Sequence, residues 1–158
     1  MTGQPAADSA NFGLIRPPFV YLGSIGVGLL VNFFWPVQLL PASVNVPIGA
    51  MVVLVSGALF MSAVRTFRKA GTPIPGNRPT TTIVRAGPYG LSRNPIYLAF
   101  TLFQLGLAAW VNSLGVLLTL LPALALMVLV VIPREERYLE ARFPSEYVSY
   151  KRAVRRWL

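Results

Sequence analysis

The chain has 158 residues, 54% of them hydrophobic and only 12% charged, with 14 Lys and Arg against 5 Asp and Glu. With a mean hydropathy of +0.60 this excludes an ordinary soluble domain, and in so apolar a chain the formal charge of +9 points to anionic lipid headgroups rather than to nucleic acid. The chain has no Cys and no His, which excludes disulfides, thiolate nucleophiles and an imidazole base, and no metal is expected.

In chain order, residues 1–17 read as an N-terminal tail without a basic, cleavable leader pattern. Pro18 to Leu40 carries no charge and is long enough to cross a hydrocarbon core of roughly 30 Å. Pro36 should bend or end this helix, and Gly23, Gly26 and Gly28 could let another helix approach. After a short uncharged turn, Val46 to Val64 makes a second span that stops at Arg65, Arg68 and Lys69, so residues 18–66 predict a helical hairpin. Residues 67–95 form a basic, turn-rich loop, and Pro95 can open a helix because its missing N–H costs nothing in the first turn. Residues 96–133 predict a second hairpin, turned at Asn112-Ser113. From residue 134 to 158 the chain is charged and amphipathic, and Pro144 should divide it into two helices.

Every Lys and Arg lies in the N-terminal flank, the 65–93 stretch or the tail, and both hairpin tips lack charge. The expected architecture is therefore one all-α membrane domain. It has four transmembrane helices in two hairpins, with both termini and the central loop cytoplasmic, set in a bacterial inner membrane.

The chemistry-bearing residues cluster at the predicted cytoplasmic edge. Glu135 and Glu136 could bind an ammonium group or offset a sulfonium charge, or could be a solvated helix start. Arg93 and Asn94 could hold a carboxylate, or could be a membrane anchor and a helix cap. Tyr89 and Tyr97 could stack on a purine or belong to an interfacial aromatic belt.

The order GPYGLSRNPIYLAF, hairpin, EERYLEARFPSEYVSYKRAVRRWL resembles the isoprenylcysteine carboxyl methyltransferase family and its bacterial relatives, with phosphatidylethanolamine N-methyltransferases as more distant kin. The resemblance covers residues 65 to 158 well and the first two spans only by hydropathy. It implies an S-adenosylmethionine pocket lined by Thr82, Ile83, Val84 and Tyr89, closed by Arg93, Asn94, Pro95 and Tyr97, with Glu135 and Glu136 taking the cofactor's amino group. A zwitterion asks for cationic donors at one end and a carboxylate at the other. Three positions depart from the family pattern: Asn94 stands for His, Ala99 for Gly, and Val131 for an arginine associated with prenylcysteine substrates.

The reading that follows is a membrane methyltransferase in which Arg93, Asn94 and Glu135 serve the reaction. A small lipophilic acceptor, a carboxylate or thiol rather than an amine, enters from the membrane lipid against Phe100 and Phe103, beside Arg134. Its pocket is expected between the third and fourth spans, with Leu107, Leu121 and Leu124. The alternatives are an NADPH-dependent membrane reductase of the sterol or enone type and a non-catalytic membrane subunit. Oligomeric state is not legible.

Overall fold

The computed structural model describes residues 16–73 and 80–158, and among these there are helices and turns but no strand. The N-terminal tail up to residue 15 and the 74–79 part of the central loop, including Arg78, lie outside the described residues.

Helix α1 (Pro17–Phe34) opens with proline in its first turn and stops at Trp35, ahead of Pro36. A residue that precedes proline is driven out of the α region. Helix α2 (Asn45–Lys69) is 25 residues long, and it runs past the expected end of the first hairpin so that Arg68 and Lys69 sit on its negative C-terminal end. Helix α3 (Pro95–Trp110) is apolar and only 16 residues long. Helix α4 (Leu114–Leu126) starts on Ser113, whose side chain accepts the Val116 N–H.

The next turn, Met127–Val131, is a π-helix, in which the Ile132 N–H reaches back to the Met127 carbonyl. Pro133 explains it: a proline in a regular helix clashes with the carbonyl four residues back, here Leu129, and the wider turn relieves that clash. The helix therefore continues without a break into α5 (Ile132–Arg142) instead of ending at residue 133. Pro144 then opens α6 (Pro144–Ala153), as expected.

Three helical runs are long and apolar enough to cross a membrane: Pro17–Phe34, Asn45–Lys69 and the 29-residue run Leu114–Arg142. At 1.5 Å per residue the last spans about 43 Å, so an apolar core of roughly 30 Å leaves its end uncovered. That end is the charged stretch from Arg134 onward, and α5 therefore projects from the membrane at its edge.

The packing departs from two self-contained hairpins. α2 packs along α3, α1 packs along α4, and α3 joins the two pairs through α4, whereas α1 and α2 make no extensive contact. Glycine sets both tight pairs. A Cβ at Gly28 would lie 2.6 Å from the Val116 Cα, and one at Gly106 would lie 2.8 Å from the Val53 nitrogen. Gly23 and Gly26, expected to share this role, face open space. Asn112, in the left-handed region at φ 52, ties the two tips together. Its Oδ1 accepts the Leu39 and Leu40 N–H groups at 2.8 Å each, and its Nδ2 donates to the Leu40 carbonyl at 2.9 Å.

A buried polar network replaces hydrophobic selectivity where lipid cannot supply it. Gln104 Nε2 donates to Ser24 Oγ at 2.7 Å and to the Val116 carbonyl at 3.1 Å, and Tyr21 and Thr101 share a 2.8 Å hydrogen bond. These bonds hold α1 against α3 and α4, where interhelical polar contacts have few competitors. Gly106→Leu should therefore lower the melting temperature of the purified protein in detergent, by a packing cost of about 1–3 kcal/mol. Gly23→Leu, whose Cβ meets nothing, should leave it unchanged.

Candidate active site

Residues from six elements converge on one cavity of about 250 Å³ at the end of the bundle where α5 leaves the apolar core. Thr82, Ile83, Val84, Tyr89, Arg93, Asn94, Pro95, Tyr97, Phe100 and Glu135 all line it. Gly87, at φ +57, begins the short 3₁₀ turn Gly87–Gly90 that carries Tyr89, and its missing side chain lets the loop close on Thr66 of α2, where a Cβ would meet Oγ1 at 2.9 Å. Tyr89 stands edge-on to Phe67 with ring centroids 4.9 Å apart. α6 and the end of α5 hold the loop from the other side: Tyr150 of α6 donates to the Tyr89 carbonyl at 2.7 Å, and Arg142 Nε of α5 donates to the Thr80 carbonyl at 2.8 Å.

The two adjacent glutamates are treated differently. Glu135 faces the cavity and accepts the Tyr97 hydroxyl at 2.7 Å. Burial, reinforced by the neighbouring Glu136, pushes its carboxyl up to about 7, and the Tyr97 bond only partly offsets this. Burial and the Glu135 charge also raise the Tyr89 phenol, which stays neutral. Glu136 does not line this cavity. Its oxygens are occupied by Arg93 Nη1 at 2.9 Å and by Arg156 at 2.8 and 3.1 Å. Glu136, expected to share an ammonium ligand with Glu135, is held instead by two arginines, since a buried carboxylate takes the nearest cations.

Arg93 lines the cavity while its Nη1 reaches Glu136 and, at 3.4 Å, the Tyr147 hydroxyl. Its Nε is buried and has no partner among the described residues. Asn94 does not cap α3 with its side chain, and its Nδ2 instead donates to the Arg156 carbonyl at 3.0 Å. Arg134 is exposed and lines neither cavity, so it does not sit where an acceptor head was expected. It precedes Glu135 by one residue, which on a helix turns its side chain away by about 100°.

A second, apolar cavity of about 280 Å³ lies in the crevice that α1 and α2 leave between them, floored by α3. Phe103 and Ala99 line it, and Pro18, Phe60 and Phe100 are shared with the first cavity. It does not lie between the third and fourth helices, where an acceptor pocket is expected from the sequence. Leu121, named for that lining, is 64% exposed on the outer face of α4. Nothing in the sequence marked Phe60 and Phe67 for this lining, and Leu139 was visible only as part of the amphipathic tail. Tyr147 and Tyr150 were visible only as part of an amphipathic face, since their roles depend on how α6 folds back over the loop.

The comparisons bear on this geometry. A family model described as phospholipid methyltransferase matches residues 44–146. Over 75 residues the chain is 44% identical to the cobalt-zinc-cadmium resistance protein CzcN of Cupriavidus metallidurans, a stretch covering 48% of this chain and 34% of that protein. Over 68 residues it is 41% identical to an uncharacterized protein of Haemophilus influenzae, covering 40% of this chain and 100% of that one. The chain thus spans about a third of the length of CzcN, and no solved structure matches it. The resemblance to membrane methyltransferases read from the loop and tail is met at the level of the family: the chain belongs to the phospholipid methyltransferase family.

Proposed function

We propose that the protein is an S-adenosylmethionine-dependent membrane methyltransferase acting on a small lipophilic acceptor. The observation that carries this is a single cavity walled by a buried carboxyl, Glu135, and by a guanidinium, Arg93, whose buried Nε–H has no partner among the described residues. A zwitterionic amino acid moiety fits that donor set: Glu135 would hold its ammonium, Arg93 and Asn94 its carboxylate, and Tyr89 and Val84 the apolar face of the adenosyl group. When bound, the cofactor supplies an electrophilic methyl on a sulfonium centre. The chain's own part is to position and to exclude water. Tyr97 orients Glu135, and the loop under α6 covers the polar end.

The apolar crevice between α1 and α2 suits an acceptor that arrives from the membrane, with Phe60 and Phe100 where the two cavities meet. Among the described residues Glu135 is the one carboxyl in either lining, and the cofactor's ammonium would occupy it. An ammonium acceptor would then have no base to take its proton, whereas a carboxylate or thiolate needs none. This supports an acid or thiol acceptor over phosphatidylethanolamine, and Val131, apolar and fully buried, gives a prenylcysteine no charged partner at that position.

We place all four apolar helices across the membrane, α3 spanning with the help of its packing along α2, and both termini with the loop on the cytoplasmic side. Ser43, exposed between α1 and α2, should as Ser43→Cys label from the periplasm, and Arg152→Cys only after permeabilisation; the opposite pattern inverts the topology.

Isothermal titration should find binding of S-adenosylmethionine and not of NADPH; the reverse would favour the reductase reading. Glu135→Gln should weaken cofactor binding by about 1–3 kcal/mol, the loss of one charge-assisted contact. Only ionised Glu135 attracts an ammonium, so below its value of about 7 binding must first displace a proton. Wild-type affinity should fall roughly tenfold per pH unit below that point, with the Glu135→Gln profile flat between pH 5.5 and 7. In a tritiated-methyl screen, lipophilic acids or thiols should turn over in preference to phosphatidylethanolamine and farnesylated cysteine.

A further inference from the structure

The last five residues lie beyond the stretch matched by the family model, yet they clasp the turn that presents Arg93 to the cavity. After α6 the backbone turns extended at Val154, φ −126 and ψ 133. The Arg93 N–H donates to the Arg155 carbonyl at 3.0 Å, and the Arg156 carbonyl accepts Ser92 Oγ at 3.3 Å and Asn94 Nδ2 at 3.0 Å. Trp157 packs against the core formed by Tyr21, Tyr97 and Met127. The Arg156 guanidinium meets Glu136 through two nitrogens, on the carboxylate that also binds Arg93.

We propose that Arg156 is a positioning residue for the carboxylate end of the cofactor: by sharing Glu136 with Arg93, it leaves the Arg93 side of the cavity with one uncompensated positive charge. The inference rests on the cofactor reading above. A charge count carries it. Arg93 and Glu136 alone would cancel, and Glu135 would then make the site net negative once ionised, repelling a carboxylate. With Arg156 present, two guanidinium groups oppose Glu136, and the remaining charge balances Glu135. A zwitterion then meets a complementary pole at each end. The paired arginines also meet the cost of burying Glu136, which neither would fully offset alone, and the main-chain bonds to residues 92–94 fix Arg93 in place.

The test compares S-adenosylmethionine with its decarboxylated analogue, which keeps the ammonium and lacks the carboxylate, on the purified full chain in detergent. Wild type should prefer the carboxylated ligand. Arg156→Gln should weaken it roughly tenfold, the scale of one charge-assisted contact, with binding of the decarboxylated analogue unchanged. The double variant Glu136→Gln/Arg156→Gln removes the buried carboxylate together with its partly exposed partner, restores the charge balance, and should regain the preference; it also provides the reading if the single variant does not fold. Equal weakening of both ligands by Arg156→Gln, no weakening of either, or a double variant without the preference would overturn the proposal. Wild type that binds both ligands equally would overturn it, and with it the placing of the carboxylate at Arg93, while leaving S-adenosylmethionine as the cofactor. Wild type that binds neither would overturn both.

Discussion

The structure turns on how two neighbouring carboxylates are accommodated at the edge of an apolar bundle. A buried carboxylate must be paired, hydrogen-bonded or protonated. Glu136 takes the first solution, between Arg93 and Arg156, and so locks the N-terminal turn of α3 to α5 and to the end of the chain. Glu135 takes the other two, with a hydroxyl from Tyr97 and a proton affinity raised toward neutrality. One is spent on the fold and the other is left facing a cavity. The division depends on phase: the π-turn that admits Pro133 sets the rotation of α5, which puts Glu135 and Leu139 on the cavity and Glu136 against the arginines.

The helix arrangement supplies the rest. Glycine contacts draw α1 to α4 and α2 to α3, and a bundle closed in two tight pairs leaves a seam between α1 and α2. That seam is apolar where it faces lipid, and it reaches the polar cavity at Phe60 and Phe100. The polar cavity, with Glu135 and Arg93 in its wall, and the apolar crevice thus adjoin.

Much of this was legible in the sequence because charge and proline act locally. Pro36, Pro95 and Pro144 mark a helix end and two helix starts where expected, and the charge-free tips at Pro41–Asn45 and Asn112-Ser113 hold their turns. Nine of the residues named for the cofactor share one lining, since the loop and the start of α3 are close in sequence. What was not legible is what depends on long-range packing. Adjacent glutamates look alike in a sequence, and only the placement of Arg156, twenty residues on, separates them. Arg134 looked like a site residue by proximity to Glu135, although helix geometry turns it outward. The pairing of α1 with α4 rests on Gly28 meeting Gly115, a contact that hydropathy cannot distinguish from Gly23 or Gly26 facing lipid. The apolar crevice between α1 and α2 follows from that pairing.

The central claim is that Glu135 and Arg93 receive opposite ends of one zwitterion. A structure of the protein with bound S-adenosylhomocysteine tests it most directly. The account predicts the amino group on the Glu135 carboxylate, the carboxyl group beside Arg93 and Asn94, and the adenosyl group against Tyr89. An amino acid moiety held in the reverse orientation, or a ligand outside the cavity beneath the 80–91 loop, would contradict it.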